Sequence, residues 1–113
     1  MSRSVIEYLN HISAELDFLK KASENLTLDN FLKDEILKRA FARSLEIIGE
    51  AAKAVPDEVR YNNPHIEWKA MAGMRDKLIH HYFGVDYELV WNIIENEIVE
   101  LSFQINNVLK ELK

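Results

Sequence analysis

Apolar residues recur every three or four positions along most of the 113-residue chain, which is the period of an amphipathic α-helix. The first such seam ends at the segment ASENLTLDN, where Thr27 or Asp29 is expected to cap the next helix. The second helix is long and ends before Pro56. The predicted buried faces consist of Val5, Leu9, Ile12, Leu16 and Leu19 in the first helix and of Leu37, Phe41, Ser44, Ile48, Ala52 and Val55 in the second.

The connector PDEVRYNNP leads into a third helix, predicted from about Ile66 to about Tyr82. Gly84 is expected to stop this helix, and Asp86 to cap the one that follows. Predicted core positions are Trp68, Ala72 and Ile79 in the third helix and Ile94, Ile98, Leu101, Ile105, Val108 and Leu112 in the last.

Together these segments predict an all-α fold, an antiparallel bundle of four main helices in a single domain that spans residues 1–113. The last seam has nearly heptad spacing, as in a coiled coil. Seams this regular are equally compatible with packing inside one chain and with a homodimer.

Composition narrows the class of protein. Hydrophobic residues make up 48% of the chain and charged residues 29%, a globular balance, and only three glycines and two prolines occur. The absence of cysteine excludes disulfides, thiol catalysis and cysteine-based zinc sites. No signal peptide opens the chain and no apolar run approaches the roughly 18 residues of a membrane span, so a cytoplasmic location is expected.

The net charge of −5 argues against a general nucleic-acid binder, whose footprint is usually basic. The charge is unevenly distributed, however. Residues 1–32 carry −2 and residues 86–113 carry −4, whereas residues 33–54 carry +1 and residues 55–85 are neutral. RNA therefore stays possible as a ligand of the middle of the chain, without recruitment by bulk electrostatics.

A charged stripe follows one side of the second helix. At about 100° per residue its members fall within roughly 80° of one another. One interpretation is a solvated face with ion pairs such as Arg43 with Glu46. The other is a polar wall that faces a functional site or a second subunit. The stripe consists of Arg39, Arg43, Glu46, Glu50 and Lys53.

A metal centre is not expected. Di-iron bundles use Glu-x-x-His pairs, and the chain contains none. His11 and Glu15 are four residues apart, a single pair that occurs often by chance, and His80 and His81 would point about 100° apart on a helix. Three scattered glycines cannot build a phosphate-binding loop either, so the sequence predicts neither a metal nor a cofactor.

The segment RDKLIHHYFGVD concentrates the candidate chemistry. On a continuous helix Arg75 and Tyr82 would lie about 20° from alignment, while His80 would lie about 140° from Arg75. A site that uses all three residues therefore needs the helix to end or distort near His80. The alternative is structural: Arg75 pairs with Glu46 or Glu50, and His80 and Tyr82 cap the helix.

An arginine, a histidine and a tyrosine without a metal suit RNA cleavage. Arginine binds a phosphodiester through two hydrogen bonds and stabilises the charge that develops on it. Histidine transfers protons near neutral pH, and the 2′-hydroxyl of RNA supplies the nucleophile.

The pattern Arg-x4-His-x-Tyr within GMRDKLIHHYFGVD resembles the signature of the HEPN superfamily, specifically the HepT-like toxins of HEPN/MNT toxin–antitoxin modules. The resemblance extends over nearly the whole chain. It includes RSLEIIGEAAKAV in the second helix, a tryptophan shortly before the motif and VDYELVWNII after it.

This resemblance implies a small all-α homodimer with two copies of the motif at the subunit interface. It implies a metal-independent endoribonuclease toxin of a type VII module that cleaves tRNA or mRNA, with Arg75 and His80 as the catalytic pair. The partner would be a minimal nucleotidyltransferase antitoxin, which either attaches AMP to Tyr82 or inhibits by binding.

Other residues of the motif have less defined roles. Asp76 occupies a position where the family commonly has a polar residue, and His81 fills a variable position. Glu46 and Glu50 are expected to line the dimer cleft and to orient Arg75. Two alternatives remain open: a non-catalytic subunit that binds a nucleotide or the transferase partner, and a plain helical dimerisation domain.

Overall fold

The computed structural model describes residues 3–80 and 84–113 of the chain. Within them none of the helices has the length and apolar composition needed to cross a membrane. The elements are α1 (Arg3–Ala22), α2 (Leu28–Lys33), α3 (Glu35–Ala54), α4 (Asp57–Asn62), α5 (Trp68–Ala72), α6 (Met74–Leu78), β1 (Ile79–His80), β2 (Gly84–Val85), α7 (Tyr87–Asn96) and α8 (Ile98–Leu112).

Helix α1 packs against both α3 and α8, and α3 packs in turn against α2, α5, α6 and α7. The Ser13 hydroxyl donates a hydrogen bond to the Asn106 side-chain oxygen over 2.8 Å, which fixes the register of α1 on α8. The predicted seams of these helices are confirmed. All their members are buried except Leu37, Leu101 and Leu112, which are half-buried at the edge of the core. The all-α fold class is therefore confirmed, with one two-residue β-pairing added.

The predicted start of the long second helix was wrong. Thr27 does cap a helix, accepting a hydrogen bond from the Asn30 amide over 3.2 Å, but that helix is the short α2. Helix α3 begins after Asp34, whose carboxylate accepts a hydrogen bond from the Leu37 amide over 2.9 Å. The two helices are separate because α2 turns Phe31 into the core.

There, the centroid of the Phe31 ring lies 5.2 Å from that of the Phe41 ring and 5.4 Å from that of the Trp91 ring. A single helix could not direct Phe31 and the α3 seam into the same core.

The predicted third helix was also wrong in its extent. It is divided at Gly73 into α5 and α6, and it ends at Leu78 rather than near Tyr82. Ile79 has extended dihedral angles of −99° and 126° and is 40% exposed, so it is not a core residue, and Ala72 is only half-buried. The Leu78 carbonyl accepts a hydrogen bond from the Asp86 amide over 2.8 Å, which ties the end of α6 to the segment after it.

The predicted last helix is two helices, α7 and α8, that meet at Glu97. Asp86 caps α7 as expected and accepts a hydrogen bond from the Leu89 amide over 3.1 Å. Ile94 and Ile98 are both buried, so the apolar seam continues across the break. Periodicity alone did not reveal the break because both helices bury the same stripe.

Arg60 closes the C-terminus of α3. Its guanidinium donates hydrogen bonds to the carbonyls of Ala52 at 2.7 Å, Lys53 at 3.1 Å and Val55 at 3.0 Å. These carbonyls belong to the last turn of the helix and its end, where no intrahelical donor is available. The α3–α4 connector is thereby folded back onto α3.

Candidate functional site

The motif helices approach α3 most closely at Gly49. A Cβ atom at this position would lie 2.8 Å from the Met71 carbonyl oxygen and 3.5 Å from the Met74 Cβ. Only a glycine therefore lets α5 and α6 lie this close to α3. Because Arg75 directly follows Met74, this contact determines how far Arg75 stands from α3.

Arg75 lies on the solvent side of α6. The helix buries Met74 and Leu78 and exposes Arg75, Asp76 and Lys77. Among the described residues no carboxylate lies within 4.0 Å of the Arg75 guanidinium. An exposed guanidinium without a carboxylate partner keeps its donors available to an incoming phosphate.

Glu46 and Glu50, the two carboxylates predicted as partners of Arg75, pair with their own helix instead. Arg43 lies 3.4 Å from Glu46 and 3.8 Å from Glu50. The structural alternative, in which Arg75 pairs with either carboxylate, is thus not found within the described chain. Both carboxylates flank Gly49 in α3, so helical geometry places them at the edge of the contact with α5 and α6.

The helix ends before His80, as a site that combines Arg75 with His80 requires. Ile79 pairs with Val85 and His80 with Gly84 in the antiparallel pairing of β1 and β2. Gly84 has a φ of +72°, a left-handed conformation that glycine adopts without strain. Because it takes part in this pairing, the backbone of His80 is extended. His81 and Tyr82 lie outside the described residues.

The charge around Arg75 differs from that of the chain as a whole. Helices α5 and α6 carry Lys69, Arg75 and Lys77 against Asp76, a net charge of +2. Helix α3 carries +1, whereas α7 and α8 together carry −3. The chain is thus divided into a weakly basic side around the motif and an acidic side.

Not every cation on the basic side is free. Lys38 forms a salt bridge of 2.9 Å with Glu35 and stands 4.8 Å from the centre of the Tyr87 ring. Its hydrogen bond and its charge lower the pKa of the Glu35 carboxyl. Lys38 therefore joins the start of α3 to the start of α7, which is a structural role.

A cleft of about 220 Å³ opens where the basic and acidic sides meet, between the segment from His65 to Met74 and the junction of α7 with α8. Arg75 does not line it, and neither does any lysine or other arginine among the described residues. In the described part of the chain, no three His, Asp or Glu side chains are grouped closely enough to hold a metal ion.

Sequence reasoning missed three features of this region: the contact at Gly49, the closure of α3 by Arg60 and the cleft. A signal existed for the first, since a lone glycine inside a strongly helical pattern usually has a packing reason. The other two depend on residues that periodicity does not bring together.

Comparison with known proteins agrees with the fold and the motif. A family model described as "Ribonuclease HepT-like" matches residues 12–108. The chain therefore belongs to the HepT-like family of the HEPN superfamily. No solved structure gave a match.

Three relatives illustrate the match. A protein of Caldanaerobacter subterraneus subsp. tengcongensis named "Putative RNase" is 49% identical over 106 residues, covering 94% of this chain and 95% of the relative. One of Methanocaldococcus jannaschii with the same description is 39% identical over 111 residues, covering 98% and 92%. A "Probable ribonuclease HepT" of Thermococcus cleftensis is 39% identical over 102 residues, covering 90% and 93%.

Proposed function

We propose that this chain is a metal-independent endoribonuclease that cleaves tRNA or mRNA, with Arg75 and His80 as its catalytic pair. The observation that carries the proposal is the state of Arg75: exposed, on a weakly basic side, and without a carboxylate partner among the described residues. Membership of a family described as ribonucleases supports the same activity.

In the proposed reaction the imidazole of His80 accepts the proton of the RNA 2′-hydroxyl. The 2′-oxygen forms a bond to phosphorus, and the bond from phosphorus to the 5′-oxygen breaks. The products are a 2′,3′-cyclic phosphate and a 5′-hydroxyl, whose proton comes from a second imidazole or from water. Arg75 stabilises the additional negative charge on the phosphoryl oxygens.

The functional unit in this proposal is a homodimer that brings two motifs together, with Glu46 and Glu50 lining the cleft between the subunits. Their position beside the α3–α6 contact supports this role. Glu50→Ala is expected to lower both the dimer fraction, measured by sedimentation, and the cleavage rate. Lys20→Ala, an exposed change on α1, serves as the control. A Glu50→Ala protein with full activity and full dimer mass would contradict the role.

The chain acts as the toxin of a type VII toxin–antitoxin module in this proposal, with a minimal nucleotidyltransferase as its antitoxin. Tyr82 is the residue modified, because it stands two positions after His80 in the motif. An attached AMP would add bulk and a negative phosphate beside Arg75, which would repel RNA and could bind the guanidinium. A partner that inhibits by binding alone is the other route to neutralisation.

The decisive test is cleavage of bulk tRNA in the presence of EDTA. Wild type is expected to produce fragments ending in a 2′,3′-cyclic phosphate, and His80→Ala to produce none while still binding RNA. Equal cleavage by both proteins would remove His80 from the mechanism. If neither cleaves, the intact mass decides: AMP on Tyr82 would mean that the neutralised form was assayed.

An unmodified but inactive protein would instead favour the second candidate, a non-catalytic binding subunit. The cleft of about 220 Å³ beside the α7–α8 junction suits a partner protein better than a nucleotide as the ligand of such a subunit. Its lining among the described residues offers no lysine or arginine to a phosphate.

A further inference from the structure

The cleft between the α5–α6 segment and the α7–α8 junction has an apolar floor. Met71 and Met74 come from α5 and α6, and Ile93, Ile98 and Leu101 come from α7 and α8. Its volume of about 220 Å³ lies below the roughly 300–1,000 Å³ of pockets that enclose small-molecule ligands. It is therefore better sized for anchoring side chains than for a whole nucleotide.

The rim of the cleft is acidic. Glu67 borders it on one side and Glu97 and Glu100 on the other, and all three side chains are exposed. No lysine or arginine borders the cleft among the described residues. Such a rim repels phosphates and attracts cationic groups.

Two exposed apolar residues lie on a different face of α8. Val99 is 67% exposed and Phe103 is 68% exposed, and they lie four positions apart, so they form one stripe on the helix. At about 100° per residue this stripe faces roughly 150° away from the cleft-lining residues of α8, which are Ile98, Glu100, Leu101 and Gln104. The stripe is therefore not part of the cleft.

We propose that the cleft forms a docking site for a basic amphipathic helix of a partner protein. Apolar side chains of that helix would enter the cleft, while its lysines and arginines would meet the three rim carboxylates. This is the helix-in-groove mode of recognition. Methionines suit its floor because their side chains adapt to different anchors.

The docking site adjoins the motif. The Met74 side chain lines the cleft, and Arg75 is the next residue of the same helix. A partner bound there would lie beside α6 and could restrict access of RNA to Arg75. This consequence for neutralisation rests on the proposed function, whereas the docking site itself does not.

The test uses a synthetic helical peptide of leucines and lysines as the probe and the same peptide with glutamates replacing the lysines as its control. The chain has three methionines, so carbon-13 labelling of their methyl groups gives three NMR signals, assigned by Met→Leu variants. The basic peptide is expected to shift the signals of Met71 and Met74. The acidic peptide is expected to shift none of them.

Charge dependence is tested by fluorescence anisotropy of the labelled basic peptide. Glu97→Gln/Glu100→Gln is expected to weaken its binding at least about tenfold, because two interfacial charges are lost. The matched control Glu88→Gln/Glu111→Gln removes two exposed carboxylates of α7 and α8 that do not line the cleft, and should change binding little.

Unchanged Met71 and Met74 signals, or equal weakening by both double variants, would overturn the docking site. A wild-type dimer that dissociates in Glu97→Gln/Glu100→Gln would assign the surface to a second copy of this chain and also overturn the proposal. Because none of these measurements uses cleavage, a failure of the nuclease proposal would leave their outcome unaffected.

Discussion

Replacing Arg75 with alanine is expected to lower the rate of RNA cleavage by about 10²–10³-fold, because a preorganised donor to the transition-state phosphate is lost. The melting temperature should hardly change, since the side chain is exposed and has no carboxylate partner among the described residues. The measurement is single-turnover cleavage of tRNA, together with thermal unfolding of the same preparations.

Two further variants separate charge from geometry. Arg75→Lys keeps the positive charge but loses the planar fork, so it should bind RNA almost normally and cleave slowly. Lys77→Ala removes an exposed cation two residues away on α6, and it should weaken binding at low salt without a large loss in the cleavage step. If Lys77→Ala and Arg75→Ala slowed cleavage equally, Arg75 would be only part of a basic surface.

Gly49→Ala is expected to destabilise the protein by about 1–3 kcal/mol, although alanine normally favours a helix interior. The new Cβ would lie 2.8 Å from the Met71 carbonyl oxygen, which is backbone and cannot rotate away. Helix α3 and the α5–α6 pair must therefore move apart. Thermal unfolding should show a melting temperature lower by roughly 5 °C or more.

Gly73→Ala is the matched control for this change. A Cβ at Gly73 would lie 3.4 Å from the Lys69 carbonyl oxygen, an ordinary contact, and the φ of −87° suits any residue. Gly73→Ala should therefore be nearly neutral. Cleavage by Gly49→Ala should fall even at temperatures where the protein is folded, because Arg75 moves with α6. Equal stability of the two variants would refute the packing argument.

The buried faces of the long helices could be predicted from the sequence because apolar residues recur with the helical period. The α1 seam from Val5 to Leu19 is buried throughout. Asp86 caps α7, as its position before an apolar helical pattern predicted. The first and last residues of the helices were harder to predict. Helix α3 is capped by Asp34 and not by Thr27, because Phe31 packs on the Phe41 ring from a separate short helix. This long-range contact cannot be inferred from the local spacing of apolar residues.

The candidate site was predicted in part. The motif indicated Arg75 and His80, and the need for the helix to end before His80 was recognised from the angle between them. The roles of both residues, and that of Tyr82, stay predictions. The sequence left two partners open for Arg75, and the structure gives both carboxylates to Arg43. The spacing of charged residues along α3 cannot decide whether Glu46 and Glu50 pair with an arginine of the same helix or with one of another helix.

The sequence by itself thus determined the class of fold, the buried faces of the long helices and the motif that marks the family, since each is written in local periodicity or in residue identity. Tertiary structure decided where α6 ends, how close it lies to α3 and where a cleft opens. At Leu78 the helical hydrogen bonds give way to pairing with Gly84 and Val85. At Gly49 a missing side chain admits the backbone of another helix. Both outcomes depend on groups that meet only after the chain has folded.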